Sequence, residues 1–343
     1  MALYLNIIKM IHINIIHPFG KVLFMHQLDT NRFSEKFHFA ENSTEKIVWD
    51  YIVVFQNVNY QCLGLSYRKG GLIFIAGEPE CAEPYCNSFF DQFNYAIVPH
   101  PHKNHPVILH TNPALNWLFG HSYTKGLFRY SYSEIKEIKA DKIKNISMMC
   151  SNKVMMPGHI LRYQFYQLLS KEFKGQIDFY GAGIKLVDDK ADILLPYRFH
   201  ICIENSTDDH YWTEKIADPI LGYSIPIYCG APNITTYFPK DALVLIDINK
   251  PEEAVSTIKN LLEHAEEEYQ RRLPALIEAR KLLLDKYNLF PMLAQFVAAH
   301  PVSQREILNF NVRSYTEFFS WKVLNYKARL KRLIFKLKHK YIG

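Results

Sequence analysis

Tyr211, Glu214 and Lys215 stand at i, i+3 and i+4. On a helix that spacing puts a ring, a carboxylate and an ammonium on one face. Asp208 and Asp209 precede them and can cap such a helix. A helix start offers free N–H groups and a partial positive charge to an anion. Lys215 would add a mobile full charge, and Glu214 a carboxylate able to hold hydroxyls. Together they suit a nucleotide diphosphate joined to a sugar. From spacing alone, the same residues also read as an ordinary capped amphipathic helix with an ion pair.

The elements that must position these residues are legible around them. Tyr197–Ile203 is short and apolar and reads as a buried strand. Glu204, Asn205 and Ser206 open a polar loop after it, and Gly222 ends the helix. Ile225–Cys229 reads as a second strand, closed by a turn at Gly230, Ala231 and Pro232. The unit is strand, loop, helix, strand, with its polar residues where the first strand meets the helix.

The runs FHICIENS, YWTEKI and IPIYCGAP resemble the signature of the family 10 glycosyltransferases, the bacterial-type α1,3/α1,4-fucosyltransferases. The gap between Asn205 and Tyr211 is one the family keeps, and the resemblance covers residues from about 146 to about 289. It implies that Asn205, Tyr211, Glu214 and Lys215 bind the donor. Residues 151–152 (Ser-Asn), a variable loop and Arg162 near the start of an amphipathic helix at 161–169 match a further family segment. The resemblance implies that Arg162 holds the donor phosphates, where its fixed fork of donors suits phosphate oxygens. Residues 177–183 are similar to a family strand that runs into a glycine turn.

Earlier in the chain, Glu78 falls just past the carboxyl end of an apolar run at 72–76, where open α/β sheets place their ligands. Bacterial family members carry a Gly-Glu pair after a strand at this place, and the resemblance makes Glu78 the expected catalytic base. Pro79 stands where Asn is common in the family. Read without the resemblance, Glu78 is equally a solvent-exposed turn residue. His100, His102, His105 and His110 lie in a proline-broken stretch without the i, i+4 spacing of a zinc site. Acceptor contact suits them better than metal, and no metal or other cofactor is expected.

The 343 residues suffice for two domains. The net charge of +6 is concentrated in the last twenty or so residues, so general nucleic-acid binding is not indicated. Residues 320–343 alternate apolar positions with Lys and Arg and read as a basic amphipathic anchor for an anionic membrane surface. Six scattered cysteines show no disulfide framework, which favours a reducing compartment. The apolar N-terminus is broken by Asn6, Lys9, His12 and Asn14, and reads as a first strand rather than a spanning helix. Asn205 starts an N-x-S/T triplet inside the proposed pocket, as a chain kept from glycosylation would tolerate. Strands at Tyr51–Phe55, 72–76 and Tyr95–Val98 mark an α/β first half. Farther on, a strand is expected at 243–248, a helix from Pro251, and another from Pro274 to about 287.

The expected fold is α/β, the GT-B arrangement of two Rossmann-like domains facing across a cleft. Residues 1–143 would form the acceptor-side domain and 144–290 the donor domain. Residues 291–319 would be a helical return segment and 320–343 the basic tail. The resemblance implies inverting transfer of L-fucose from GDP-fucose to a glycan hydroxyl, α1,3-linked, in surface glycan or lipopolysaccharide assembly. The enzyme would sit in the cytoplasm, peripheral on the inner membrane face. Another nucleotide sugar, or non-catalytic glycan or nucleotide binding, stays open as an alternative.

Overall fold

The computed structural model describes residues 9–20, 23–79, 82–83, 85–99, 108–152 and 157–318. The chain forms two compact units. The first takes the described residues up to Pro113 together with Leu289–Phe318, and the second is Ala114–Asn288. The second unit therefore begins well before the expected boundary at 144. The reason is packing: Trp117, Phe119, Tyr132 and Ile135 are buried in the second unit's core.

The first unit is built on a six-stranded sheet, with β1 (Ile11–Ile16), β2 (Phe37–Glu41), β3 (Tyr51–Phe55), β4 (Leu72–Ile75), β5 (Tyr95–Val98) and β6 (Ile108–His110) in the order β2-β1-β3-β4-β5-β6. Every pairing is parallel. A parallel sheet is covered on both faces, and β3 and β4 are accordingly buried at every position. Phe74, Phe89, Phe90 and Phe93 pack edge to face or tilted around one another over this sheet. The returning segment opens with a helix, Leu289–Ala299, and then pairs Ile307–Asn309 antiparallel with Ser66–Arg68. It is α-helical only at its start and ends in a 3₁₀ turn at Tyr315–Phe318, with Ile307–Asn309 between them supplying ladder partners to an otherwise open edge.

The second unit carries β7 (Lys144–Met149), β8 (Ile177–Tyr180), β9 (Tyr197–Ile203), β10 (Ile225–Cys229) and β11 (Val244–Leu245) in the order β8-β7-β9-β10-β11, again all parallel. Its helices are α1 (Pro157–Glu172), α2 (Glu214–Leu221), α3 (Pro251–Glu263) and α4 (Ala265–Asp285). Two expectations change here. The strand at 243–248 shortens to β11, since only two residues find ladder partners. Pro274 lies inside α4 rather than at its start. Before β7, a short helix at Tyr132–Glu137 is started by Ser131 and Glu134 with a reciprocal capping box.

In the second unit the chain goes from β7 to β8 on one side and then to β9 on the other. The reversal leaves a crevice beyond the carboxyl ends of β7 and β9, where sheets of this kind hold ligands.

Candidate active site

A cavity of about 520 Å³ sits at that crevice, wholly within the second unit. Met149, Cys150 and Ser151 reach it from the end of β7, and Ile203 and Asn205 from the end of β9. Arg162 and His159 enter from α1, and Glu214, Lys215 and Asp218 from α2. Four of the five expected donor residues, Arg162, Asn205, Glu214 and Lys215, thus line one cavity.

Two close approaches bring these elements together. A β-carbon at position 158 would stand 2.2 Å from the carbonyl oxygen of Asn205, so Gly158 lets α1 rest on the loop after β9. Gly181 has φ of +127° and its absent β-carbon would meet the Cys150 carbonyl oxygen at 1.9 Å. Arg162 follows one turn after Gly158, is 7% exposed, and donates from Nη1 to Asn205 Oδ1 at 2.9 Å. Among the described residues its Nε is buried with no hydrogen-bond partner, while the guanidinium also acts on the Cys150 thiol. A buried guanidinium with an unused donor beside an open cavity suits an oxyanion.

α2 starts differently from expectation. Its N-cap is Thr213, whose hydroxyl accepts from the Lys215 N–H, so Asp208 and Asp209 do not cap it. Tyr211 precedes the helix, is 2% exposed, and is not among the residues lining the cavity. The shared face of Tyr211, Glu214 and Lys215 therefore does not form. The cause is Glu204, buried at the end of β9: it accepts from the Thr213 N–H at 2.8 Å and from the Thr213 hydroxyl at 2.9 and 3.0 Å. That clamp fixes Thr213 as the cap and sets the helix to begin at Glu214.

Lys215 Nζ lies 3.2 Å from Glu214 Oε1 and 3.4 Å from Glu204 Oε2, and donates to the Thr213 hydroxyl at 3.0 Å. Burial works against its charge, but Glu214 and Glu204 outweigh that and raise its pKa, with Arg162 opposing them. Arg162 and Lys215 therefore act on one another across the same cavity. Glu214 is held down at about 2: burial opposes ionisation, and Lys215 and Lys190 overcome it. Glu204 moves the other way, lifted by burial against the pull of Lys215. The site is thus cationic at Arg162 and Lys215, with an ionised carboxylate beside them.

Two lining residues escape the sequence reading. Lys190, from the loop before β9, donates to Asp218 Oδ2 of α2 at 2.8 Å, and both side chains are nearly buried. Asp218 stands alone as an acid among Ile216, Ala217, Pro219, Ile220 and Leu221. A lone charge inside an apolar run was the available signal.

Glu78 lies in the first unit, partly buried, beyond the carboxyl end of β4. Gly77 before it is tightly packed, since a β-carbon there would meet Gln56 Nε2 at 2.4 Å. His110 ends β6 and is exposed. His100, His102, His105 and the tail at 320–343 lie outside the described residues.

Residues 139–273 match the sequence profile of glycosyltransferase family 10 (fucosyltransferase), C-terminal part. This stretch thus resembles a family 10 glycosyltransferase domain. Its span includes every strand of the second sheet and all the cavity-lining residues from α1 and α2. The chain is 38% identical to alpha-(1,3)-fucosyltransferase FucT of Helicobacter pylori, over 58% of this chain and 46% of that protein. It is 35% identical to human GDP-fucose protein O-fucosyltransferase 3 over 20% of this chain and 15% of that protein. The match thus spans less than half the length of either relative. A crystal structure of an alpha1,3-fucosyltransferase with GDP-fucose aligns at a TM-score of 0.48 and 21% identity, over 77% of this chain and 81% of that one.

Proposed function

We propose that the chain transfers L-fucose from GDP-fucose to a hydroxyl of a glycan, inverting the anomeric centre. The observation that carries this is the pair of cations, Arg162 and Lys215, at one cavity of a family 10 domain, with the ionised Glu214 between the protein and the open space. Cations fixed where charge builds on a departing diphosphate lower the barrier without reorganising at the moment of reaction. The acceptor oxygen would attack the anomeric carbon as the bond to the β-phosphate oxygen breaks, through an oxocarbenium-like transition state. Arg162 and Lys215 would hold the charge on the GDP that leaves. Asn205 and Glu214 would hold the donor through its hydroxyls and phosphates. Tyr211, behind the Glu204 clamp, would support the loop rather than touch the sugar.

Glu78 would take the acceptor's proton as base. The Helicobacter pylori relative favours an α1,3 linkage, and surface glycan or lipopolysaccharide assembly is the setting that a basic amphipathic tail at 320–343 suits. Among the described residues no helix is long and apolar enough to cross a membrane. The tail would hold the enzyme peripherally at the cytoplasmic membrane face.

Thermal stabilisation by GDP-fucose, GDP-mannose and UDP-galactose, followed by GDP release with a glycan array, tests the reading. GDP-fucose should give the largest upward shift, and release should depend on acceptor. Stabilisation by the uridine sugar alone would replace the donor. Binding without release or hydrolysis would favour a non-catalytic binding protein.

A further inference from the structure

The cavity carries a second charged group besides the Arg162 and Lys215 pair. Lys190 comes from a short 3₁₀ turn, Lys190–Ile193, capped by Asp189. Its ammonium is 2.8 Å from Asp218 Oδ2, and Asp218 Oδ1 accepts the N–H groups of Leu118 and Phe119 at 2.9 and 3.1 Å. Asp218 is therefore finished on the protein side, with one oxygen on the backbone and the other on Lys190. Glu214 stands one helical turn before Asp218, at i and i+4, so both carboxylates share the face of α2 that Lys190 meets. Lys190, Glu214 and Asp218 all line the cavity.

We propose that Lys190 is a positioning residue of the donor site, anchored on Asp218 and holding the carboxylate of Glu214 as the acceptor for hydroxyls of the bound nucleotide sugar. The inference rests on the donor reading above and assigns it a residue outside the sequence runs that carry the resemblance. The electrostatics agree. Lys190 lowers the pKa of Glu214, and Asp218 and Glu214 raise that of Lys190 against its burial. Besides Lys190, Glu214 is faced by Lys215 from its own helix, Asp218 one turn on, Glu204 from the end of β9, and Tyr123 from the hairpin of His121–Ser122 and Leu127–Phe128. Lys190 and Lys215 are the two cations in that set.

Calorimetric titration of the full chain with GDP-fucose, between pH 8 and 6, tests this. Lys190→Met should weaken binding about tenfold at pH 8, as expected for loss of a charge-assisted contact. Its affinity should fall more steeply toward pH 6 than that of the wild type, because Glu214 and Asp218 both lose a cation. Lys190→Arg should restore both. The double variant Lys190→Met/Asp218→Asn leaves no uncompensated buried carboxylate, so it serves if the single variant does not fold. It should keep the pH dependence. Wild-type affinity and a pH profile no steeper than the wild type's in either folded methionine variant would overturn the inference. So would disappearance of the pH dependence in the double variant, which would assign it to Asp218. No binding of GDP-fucose by the wild type would overturn the donor reading, and this inference with it.

Discussion

The two units are wound alike and end differently. In each, the second strand of the sheet lies on one side of the first and the third on the other, so each has a crevice beyond its first strand. In the first unit the protein's own groups fill it. His17, just after β1, meets Glu41 at the end of β2 at 2.7 Å, with side chains 0% and 2% exposed. The Glu41 carboxylate also accepts the N–H groups of Leu23, Phe24 and Met25, and Asn42 donates to the His17 ring. In the second unit the corresponding place is the cavity of about 520 Å³, where Arg162 keeps a buried Nε unused among the described residues. Equal topology thus gives a crevice in both units, and unspent polar groups give a site in one. The carboxylates show the same contrast. Glu41 is spent on backbone, whereas Glu214 faces open space beside two lysines.

The sharpest way to break that contrast is at Lys215. Lys215→Ala should cut fucosyl transfer by about 1,000-fold, the scale for a removed charge-stabilising group in an active site. Steady-state GDP release checks it, and near-normal turnover would remove the leaving-group role. Next is Glu78. Glu78→Gln should lower kcat by about 100-fold while leaving the GDP-fucose Kd unchanged, because a base acts on the acceptor and not on the donor. A parallel loss of donor affinity would deny it that role.

Two further tests sharpen the comparison through stability. Glu41→Gln should lower the unfolding free energy by about 2 kcal/mol, since its backbone donors lose a charged acceptor. GDP-fucose affinity should not change. Chemical denaturation with and without donor separates the two effects. His200, at the floor of the second unit's cavity, is held neutral down to about pH 3, chiefly by burial and then by Lys190 and Lys142. Unfolded, it takes up a proton near its ordinary pKa of about 6.5. As pH falls below that value the unfolded state binds the extra proton and stability drops. About 1 kcal/mol should be lost between pH 6.5 and 5.5 through this group. His200→Asn should flatten that part of the denaturation profile, and an unchanged slope would place the acid sensitivity elsewhere.

Much of the candidate site was legible because it is local. Tyr197–Ile203, the polar loop after it, and Glu214 and Lys215 lie within about twenty residues, and an apolar run followed by charge marks a strand end. Arg162 was legible only through the family resemblance, since its partner Asn205 stands on another element. The helix start was misplaced for a physical reason. Asp208 and Asp209 have better capping chemistry on paper, but buried Glu204 takes both donors of Thr213 and leaves its oxygen for Lys215. Competition of this kind is tertiary and has no sequence period. Lys190 and Asp218 were missed likewise: they are 28 residues apart and meet only once β9 and α2 pack. The domain boundary moved because Trp117, Phe119 and Tyr132 bury with the second sheet, and their order in the chain does not say which core they join.

On the reading proposed above, the open crevice of the second unit grips a nucleotide diphosphate sugar with Arg162 and Lys215. Titration calorimetry of GDP-fucose against the full chain and against Arg162→Ala/Lys215→Ala addresses it most directly. Saturable one-to-one binding by the wild type, abolished in the folded double variant, is the predicted result. Equal affinity in both proteins would contradict it.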